Sequence, residues 1–427
     1  MKIAIAGYGV EGQENFHYWS RVSENEVTIV DEKGAGAPIP EGVASIVGPD
    51  AFKQLQDFDL VIRSAGVAPR KITTNGKIWS ATNEFFEKSP APIIGVTGSK
   101  GKGTTASLIT SILEEAGKKV WLVGNIGISA LSVLDQITPD DIVVYELSSF
   151  QLWDIQRSPQ VAVVLAIEPD HLDVHASMEE YVEAKAQITR YQIAGDILIF
   201  NAENQYSKQI AESSAAQKIA YPSNDAAHVI DGWFYYGQQQ LVSVDTLSIP
   251  GAHNIQNALA AIDAVWPFTQ DVDAIEGGLA DFAGLPHRLA FVRSVNGVDY
   301  YDDSIATTPG SAIAALRAFP DRQKVIILGG SSKGSDFTEL AAELTKHDVQ
   351  AILIGDEAFT INKALQAANF FHYEIIENAT AELFTRKAAE LAQPGSVVLL
   401  SPSAASFGTF KNYADRGEQF IAAVANL

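Results

Sequence analysis

The sequence predicts an α/β protein built in three successive blocks. Two features of the 427-residue chain carry that expectation: short apolar runs that end in small or charged residues, and glycine-rich turns set between such a run and a segment of helical character. Apolar strands that feed helices through small-residue turns belong to open, mostly parallel sheets, which bind ligands at the carboxyl ends of their strands. The length suggests about three domains, and 47% hydrophobic residues are ample for several packed cores.

In the first block, Lys2-Ile3-Ala4-Ile5-Ala6 reads as a strand, followed by Gly7-Tyr8-Gly9-Val10-Glu11-Gly12, a helix, and a second strand, Val27-Thr28-Ile29-Val30, that ends at Asp31. Strand, GxGxxG, helix, strand and acidic residue in this order form a dinucleotide-binding unit. Taken alone it points to a nicotinamide cofactor and an oxidoreductase, although the same turn serves any ligand whose phosphate rests on a helix N-terminus. Leu60-Val61-Ile62-Arg63 then runs into Ser64-Ala65-Gly66-Val67, a second small-residue turn, and Pro90-Ala91-Pro92 marks the boundary to the next block.

The second block opens with Thr97-Gly98-Ser99-Lys100-Gly101-Lys102-Gly103-Thr104-Thr105, between the apolar run 92–96 and a helical segment. Glycines let backbone N–H groups converge on an anion, the helix turns its positive end towards it, and a lysine reaches the outer phosphates. The loop departs from the usual P-loop pattern: Gly98 and Gly101 enclose only two residues, and Gly103 follows Lys102, so that Thr104 would supply the Mg²⁺-binding hydroxyl. The alternative is a glycine turn with a solvated lysine. Further on, Ile142-Val143-Val144-Tyr145 ends in Glu146, either a ligand for the nucleotide's Mg²⁺ or a cap for the next helix. The strand 161–167 leads to Glu168-Pro169-Asp170-His171-Leu172-Asp173-Val174-His175. His171 and His175 have zinc-like spacing, but there is no HExxH, and His175 is expected at the surface. A helix over 178–191 carries Lys185, whose side chain is expected to reach solvent and to which spacing assigns no role. Gly251-Ala252-His253-Asn254-Ile255-Gln256-Asn257 opens another helix, its amides suited to a base edge or to capping, and Gly284-Leu285-Pro286 reads as the second linker.

The third block repeats the pattern. Tyr300-Tyr301-Asp302-Asp303-Ser304, Val325-Ile326-Ile327-Leu328-Gly329-Gly330-Ser331-Ser332-Lys333 and Val397-Val398-Leu399-Leu400-Ser401-Pro402-Ser403 each place small polar or charged residues at a strand's carboxyl end.

Composition narrows the function. The chain has no cysteine, which removes disulfides, thiolate catalysis and Cys-ligated zinc. No apolar run approaches the roughly 20 residues of a membrane helix, and the N-terminus enters a strand without a secretory pattern; a cytoplasmic protein with no membrane association is expected. A net charge of −22 disfavours nucleic acid as a partner. An anionic substrate must then be held by helix N-termini, Mg²⁺ and a few placed cations.

Together the motifs GSKGKGTT, GNIG (124–127), YELSSFQL, DHLD with YVEAK, GAHNIQNALAA, GLPHR, DDSIATTP, GGSSKGSDF and SPSAASF, with Lys411-Asn412-Tyr413 and Arg416-Gly417, follow the order seen in the Mur ligases. The chain resembles that family over essentially its whole length, and the last three motifs resemble the branch that adds D-glutamate to UDP-N-acetylmuramoyl-L-alanine. The resemblance implies a Rossmann-like N-terminal domain that holds the UDP moiety (1–89), a central P-loop-type ATPase domain (90–284) and a C-terminal Rossmann-like domain that binds the amino acid (285–427). It implies an enzyme of peptidoglycan precursor synthesis, expected to be a monomer: ATP phosphorylates the substrate's carboxylate, and the amine of D-glutamate attacks the acyl phosphate.

Resemblance also assigns residues. Val10, Glu11, Asp31, Lys33 and Gly66 fall to the uridine end, and Asn125 with His171 to the muramoyl portion and metal region. Gly98, Ser99, Lys100, Gly101, Lys102, Gly103, Thr104 and Thr105 form the ATP loop, with Asn257, Arg288 and Asp303 as further nucleotide contacts. Thr104, Glu146, His171 and a carbamylated Lys185 would serve Mg²⁺, and Lys102, His171 and Lys185 carry the catalytic roles. Thr307, Lys333, Ser406, Phe407 and Tyr413 look like the glutamate pocket. Departures from the family pattern occur in four places. Gly103 is closer to folylpolyglutamate synthases, Ile305 stands where some relatives have lysine, Glu168 where Asn is usual, and Gly408-Thr409-Phe410 replaces Asp-Gln-Phe. The rival readings are a ligase for another amino acid or for folate, an NAD-dependent oxidoreductase, and a nucleotide-gated binding protein without catalysis.

Overall fold

Parallel strands with helices between them dominate the structure, a computed structural model that describes residues 1–32, 38–172, 174–332, 335–406 and 409–427. Lys33, Lys333 and Phe407 of the assigned site lie outside the described residues. The chain divides into two units, 1–247 with 253–282 and 248–252 with 283–427; each is described by itself.

The first unit holds two parallel sheets. Strands β1 (Lys2–Ala6), β2 (Glu26–Asp31), β3 (Ala44–Val47), β4 (Leu60–Arg63) and β5 (Lys77–Trp79) pair in the order β3-β2-β1-β4-β5, all in parallel. Side chains alternate between faces: Ile3, Ile5 and Ile62 pack with Trp79 on one side, Ala4, Ala6 and Val61 with Phe52 on the other. The strand order reverses between β1 and β4, so the turns 7–12 and 64–67 meet at the switch point where such sheets bind ligands. Contact between them is direct, since the Ser64 hydroxyl donates to the Gly7 carbonyl at 2.7 Å. Gly12 is obligatory there: a Cβ would stand 2.0 Å from the Gly7 oxygen and push the helix Val10–Trp19 off the strand.

The second sheet contains β6 (Ile93–Thr97), β7 (Val120–Gly124), β8 (Ile142–Glu146), β9 (Val161–Val164), β10 (Ile197–Asn201) and β11 (Gln217–Tyr221), in the order β11-β10-β9-β6-β8-β7. All its pairings are parallel, and β6, β8 and β9 are buried along their whole length, as a sheet covered on both faces requires. Because β6 lies between β8 and β9, topology delivers three segments to one edge: the glycine loop after β6, Glu146 at the end of β8, and the stretch after β9. A small antiparallel sheet of β12 (Ala227–Ile230), β13 (Trp233–Tyr236) and β14 (Gln239–Ser243) follows.

In the second unit β15 (Ala290–Val295), β16 (Val298–Asp302), β17 (Lys324–Gly329), β18 (Val349–Ile354), β19 (Tyr373–Ile376) and β20 (Val397–Leu400) form a sheet ordered β15-β16-β20-β17-β18-β19. Only β15 runs antiparallel to its neighbour. Separate apolar cores cover its two faces. The ends of β16, β20 and β17 adjoin, which gathers Asp302, Ser401 and Gly329. Among the described residues no helix is long and apolar enough to cross a membrane.

Candidate active site

The loop after β6 is shaped by its glycines. Gly98 (φ +155°) and Gly101 (φ +84°) take backbone conformations that side-chain-bearing residues avoid, and a Cβ on them would stand 2.7 Å from Leu165 Cβ and 2.3 Å from Asn257 Oδ1. Gly101 caps the helix Lys102–Glu115 without a side-chain acceptor, which directs the helix's first N–H groups and positive end into the cradle. Lys102 folds back over the loop, its Nζ donating to the carbonyls of Gly98 at 3.1 Å and Ser99 at 3.0 Å and standing 4.0 Å from Glu146 Oε1. Lys100 is exposed, while Gly103, Thr104 and Thr105 are buried. Asn257 lies against this loop from the helix Ala252–Val265: its Oδ1 accepts from the Thr105 hydroxyl at 3.3 Å and its Nδ2 donates to Asn254 Oδ1 at 3.0 Å.

Glu146 is the last residue of β8 and only 3% exposed. The next helix, Ser149–Leu152, is capped instead by Ser148 in a reciprocal capping box with Gln151, so the carboxylate's role as a helix cap is already filled. Asn125 is exposed beside it, its backbone N–H donating to the Glu146 carbonyl at 3.4 Å.

Lys185 corrects the expectation of a solvated side chain. It is 1% exposed, and its Nζ donates to the Gly98 carbonyl at 2.8 Å and lies 4.6 Å from the Tyr181 ring centroid. Burial, with Lys102's charge in second place, holds its basicity well below that of an ordinary lysine. The helix Met178–Ala186 is amphipathic about this inward face, burying Tyr181, Val182, Ala184 and Lys185 together. Tyr181 extends the connection: its hydroxyl meets Ser99 Oγ at 2.9 Å, and Ser99 also bonds the backbone carbonyl and N–H of Glu168.

His175 is a second correction, since it is 1% rather than largely exposed. Its ring stacks on Phe150, contacts Trp153 and Tyr181, and shares a 3.0 Å hydrogen bond with Ser149 Oγ. The tight backbone bond from His175 N to His171 O turns the chain back on itself and carries the imidazole inwards. His171 (φ +54°) is half exposed, with its ring edge-on to Phe150 at 5.0 Å. The two imidazoles thus share Phe150 and Tyr181 as neighbours and differ in burial.

In the first sheet, Val10 is 77% exposed at the start of its helix and Gly66 is exposed in its turn. Glu11 ties the two turns together by accepting from Ala65 N at 2.8 Å; burial raises its pKa despite that bond. Asp31 accepts from Tyr8 N at 2.8 Å, which holds the glycine turn over the end of β2. Sequence reasoning overlooked Arg63, whose side chain is entirely buried in a bidentate pair with Asp154. An arginine closing an apolar strand was the available signal.

In the second unit, Asp303 is buried at the end of β16 and accepts from Ser401 Oγ at 2.6 Å and Leu289 N at 3.1 Å. Burial pushes its pKa up to about 7, against those hydrogen bonds and the exposed Arg288. Thr307 precedes the helix Pro309–Arg317, Ser406 is buried after β20, and Tyr413 opens the helix Tyr413–Ala425, its carbonyl accepting from Ser304 Oγ at 2.7 Å. Arg416, fully buried, fixes this edge by donating to Ser304 and to the carbonyls of Ala404 and Ala405.

These features have counterparts in known proteins. Residues 96–265 match the Mur ligase middle domain, and residues 287–404 match the glutamate ligase domain of the Mur ligases. The chain is 33% identical over 451 residues to the UDP-N-acetylmuramoylalanine–D-glutamate ligase of Clostridium tetani, covering 100% of this chain and 97% of that protein. Identity to the protein of the same name in Acetivibrio thermocellus is 35% over 449 residues, covering 98% and 95%. In fold it resembles the UDP-N-acetylmuramate-alanine ligase of Thermotoga maritima, with a TM-score of 0.61 at 17% identity over 100% of this chain and 99% of that one. Full-length identity above 30%, the two family matches and an α/β architecture with a glycine loop at the predicted strand end agree: the chain belongs to the Mur ligase family.

Proposed function

We infer that this chain is an ATP-dependent amide ligase that joins D-glutamate to UDP-N-acetylmuramoyl-L-alanine in peptidoglycan precursor synthesis. The observation that carries the reading is the full-length identity of 33–35% to ligases of that name.

The residues present suit the chemistry. The carboxylate oxygen of substrate must attack the γ-phosphorus of ATP, and two polyanions have to be brought together for it to do so. Lys102, the loop N–H groups and the end of the helix Lys102–Glu115 receive the β- and γ-phosphates, which draws Lys102 away from the loop carbonyls it now holds. Glu146 and the Thr104 hydroxyl are the oxygen donors proposed for Mg²⁺ at this loop, with His171 added on the family resemblance alone; among the described residues no three His, Asp or Glu side chains are gathered as a metal site. Mg²⁺, when bound, neutralises phosphate charge and polarises the transferring phosphoryl group.

Lys185, whose basicity burial lowers, is proposed to react through the unprotonated form of its amine. Its nitrogen lone pair adds to the carbon of CO₂, an N–C bond forms, a proton passes to solvent, and the resulting carbamate supplies carboxylate-like oxygens beside the cradle. The amine of D-glutamate then attacks the acyl phosphate, phosphate leaves, and the amide forms. Thr307, Ser406 and Tyr413, with Lys333 and Phe407, are proposed to hold the amino acid; Asn257, Arg288 and Asp303 hold the nucleotide. Val10, Glu11, Asp31, Lys33, Gly66 and Asn125 hold the UDP substrate, with Glu11 and Asp31 acting by fixing the turns.

Phosphate release from ATP in the presence of UDP-N-acetylmuramoyl-L-alanine and a panel of amino acids tests this. D-Glutamate should lead L-glutamate, L-alanine, L-lysine and meso-diaminopimelate. Another amino acid in front would overturn the D-glutamate assignment and leave the ligase; release that needs no amino acid would overturn the ligase.

A further inference from the structure

We propose that Arg63 is a positioning residue for this reaction, locking the 64–67 turn onto the segment that follows Glu146. The proposal rests on the reading that this turn, through Gly66, receives the uridine end of the substrate. Arg63 closes β4 and is 0% exposed, yet its guanidinium spends its donors in two directions. Nε and Nη2 hold Asp154 at 2.7 and 2.6 Å, and Nη2 also reaches the Phe150 carbonyl at 2.9 Å. Nη1 holds the turn itself, through the carbonyls of Val67 at 3.0 Å and Ala65 at 3.2 Å. The fork of five N–H groups is thereby fully used, three on the second sheet's segment and two on the turn.

Arg70 brackets the turn from its other side. It donates to the Val174 carbonyl at 2.6 Å and to Glu180 at 3.1 Å, and its guanidinium lies 5.6 Å from the Trp153 ring centroid. The segments seized by the two arginines are those that follow β8 and β9, the strands that lead to Glu146 and His171. Arg70 is half exposed and its ion pair adds little by itself; Arg63 is the rigid member. A buried ion pair is commonly no more stabilising than apolar side chains of like volume. What the Arg63 fork adds is direction: it fixes the turn relative to the phosphate cradle in one geometry.

The experiment compares steady-state kinetics of the wild type, of Arg63→Met with Asp154→Leu, and of Arg63→Lys. The double variant removes both charges and keeps apolar bulk, so its thermal midpoint should stay near that of the wild type. Its KM for UDP-N-acetylmuramoyl-L-alanine should rise by about tenfold or more, with the KM for ATP little changed. Arg63→Lys keeps a cation beside Asp154 but lacks the branch that holds Ala65 and Val67. It should raise the same KM, and it decides the matter if the double variant does not fold. An unchanged KM for the UDP substrate in the folded variants overturns the positioning role while the ligase reading stands. A wild type that shows no saturation by the UDP substrate overturns that reading first, and the role of Arg63 with it.

Discussion

Lys102 and Lys185 place their ammonium nitrogens on one oxygen, the Gly98 carbonyl, at 3.1 and 2.8 Å. Burial is the first cause, and repulsion between the two charges the second, that lowers the proton affinity of the deeper one. The deeper one yields, and Lys185 becomes the weaker base. On the function proposed above, an incoming polyanion relieves the repulsion, and the lowered basicity of Lys185 favours its reaction with CO₂.

Lys185→Met should therefore separate stability from activity. Between the lowered pKa of the folded state and the ordinary lysine value of about 10.4, the unfolded chain holds a proton that the fold refuses. Stability rises with pH across that window. In nucleotide-free, CO₂-depleted buffer at pH 7 the variant should melt higher than the wild type and yet lose most ligase activity. Lys185→Ala should regain part of its activity in millimolar-scale acetate, because what it lacks is an oxygen ligand. A melting point below the wild type's would show that the buried amine is not a burden on the fold; failure of every short carboxylate to restore turnover would remove the carbamate.

Lys102→Ala should lower turnover by roughly 10²- to 10³-fold, the usual loss for one preorganised charge-stabilising donor. The fold should survive, because the Nζ contacts described are with carbonyls of its own loop and with the neighbouring Glu146. Circular dichroism together with phosphate release checks both halves, and near-normal turnover in the folded variant would refute the cradle.

Asp303 should give the pH profile its acid limb. Its carboxyl titrates near 7 because burial outweighs the Ser401 and Leu289 hydrogen bonds. Removing the Ser401 hydroxyl takes away a bond that favours the charged form, so Ser401→Ala should move the acid limb of kcat/KM for ATP to higher pH. Asp303→Asn should abolish that limb at reduced overall activity. A limb that stays where it is in both variants belongs to another group.

Asp263 offers a stability test away from the reaction. It is 0% exposed on the helix Ala252–Val265, with Oδ1 accepting from Ala227 N at 2.9 Å, and burial raises its pKa to about 8. Between the ordinary aspartate value of about 3.9 and that raised value, the folded state keeps a proton that the unfolded chain has released. The stability this contributes is lost as pH rises through about 8. Thermal midpoints from pH 6 to 9 should fall more steeply for the wild type than for Asp263→Asn, which cannot ionise; parallel curves would mean an ordinary carboxyl.

Strand ends were the legible part of this chain. The runs ending at Ala6, Arg63, Glu146 and Gly329 are strands in the structure, and the run 92–96 is a strand that continues to Thr97, because an apolar run closed by a turn former carries its own boundary in local sequence; the strand expected over 161–167 stops at Val164. The glycine cradle was legible for the same reason: the positive φ at Gly98 and Gly101 is a property of the residue type as much as of its setting. The family followed from the order of the motifs, which needs no coordinates.

What local sequence could not express was which side of a helix or turn faces inward once several elements pack together. Lys185 and His175 both looked solvated because a lone cation or imidazole between small residues usually is, and tertiary packing buried both against Tyr181. Arg63 and Asp154 lie 91 residues apart and meet only because a turn of the first sheet docks on the segment after β8. Sequence determined where several of the strands end and which residues arrive there. Which charges lose their water, and so change their proton affinity or hold two segments in register, was decided by the tertiary structure, because desolvation depends on every neighbour in space and not on the next residue in the chain.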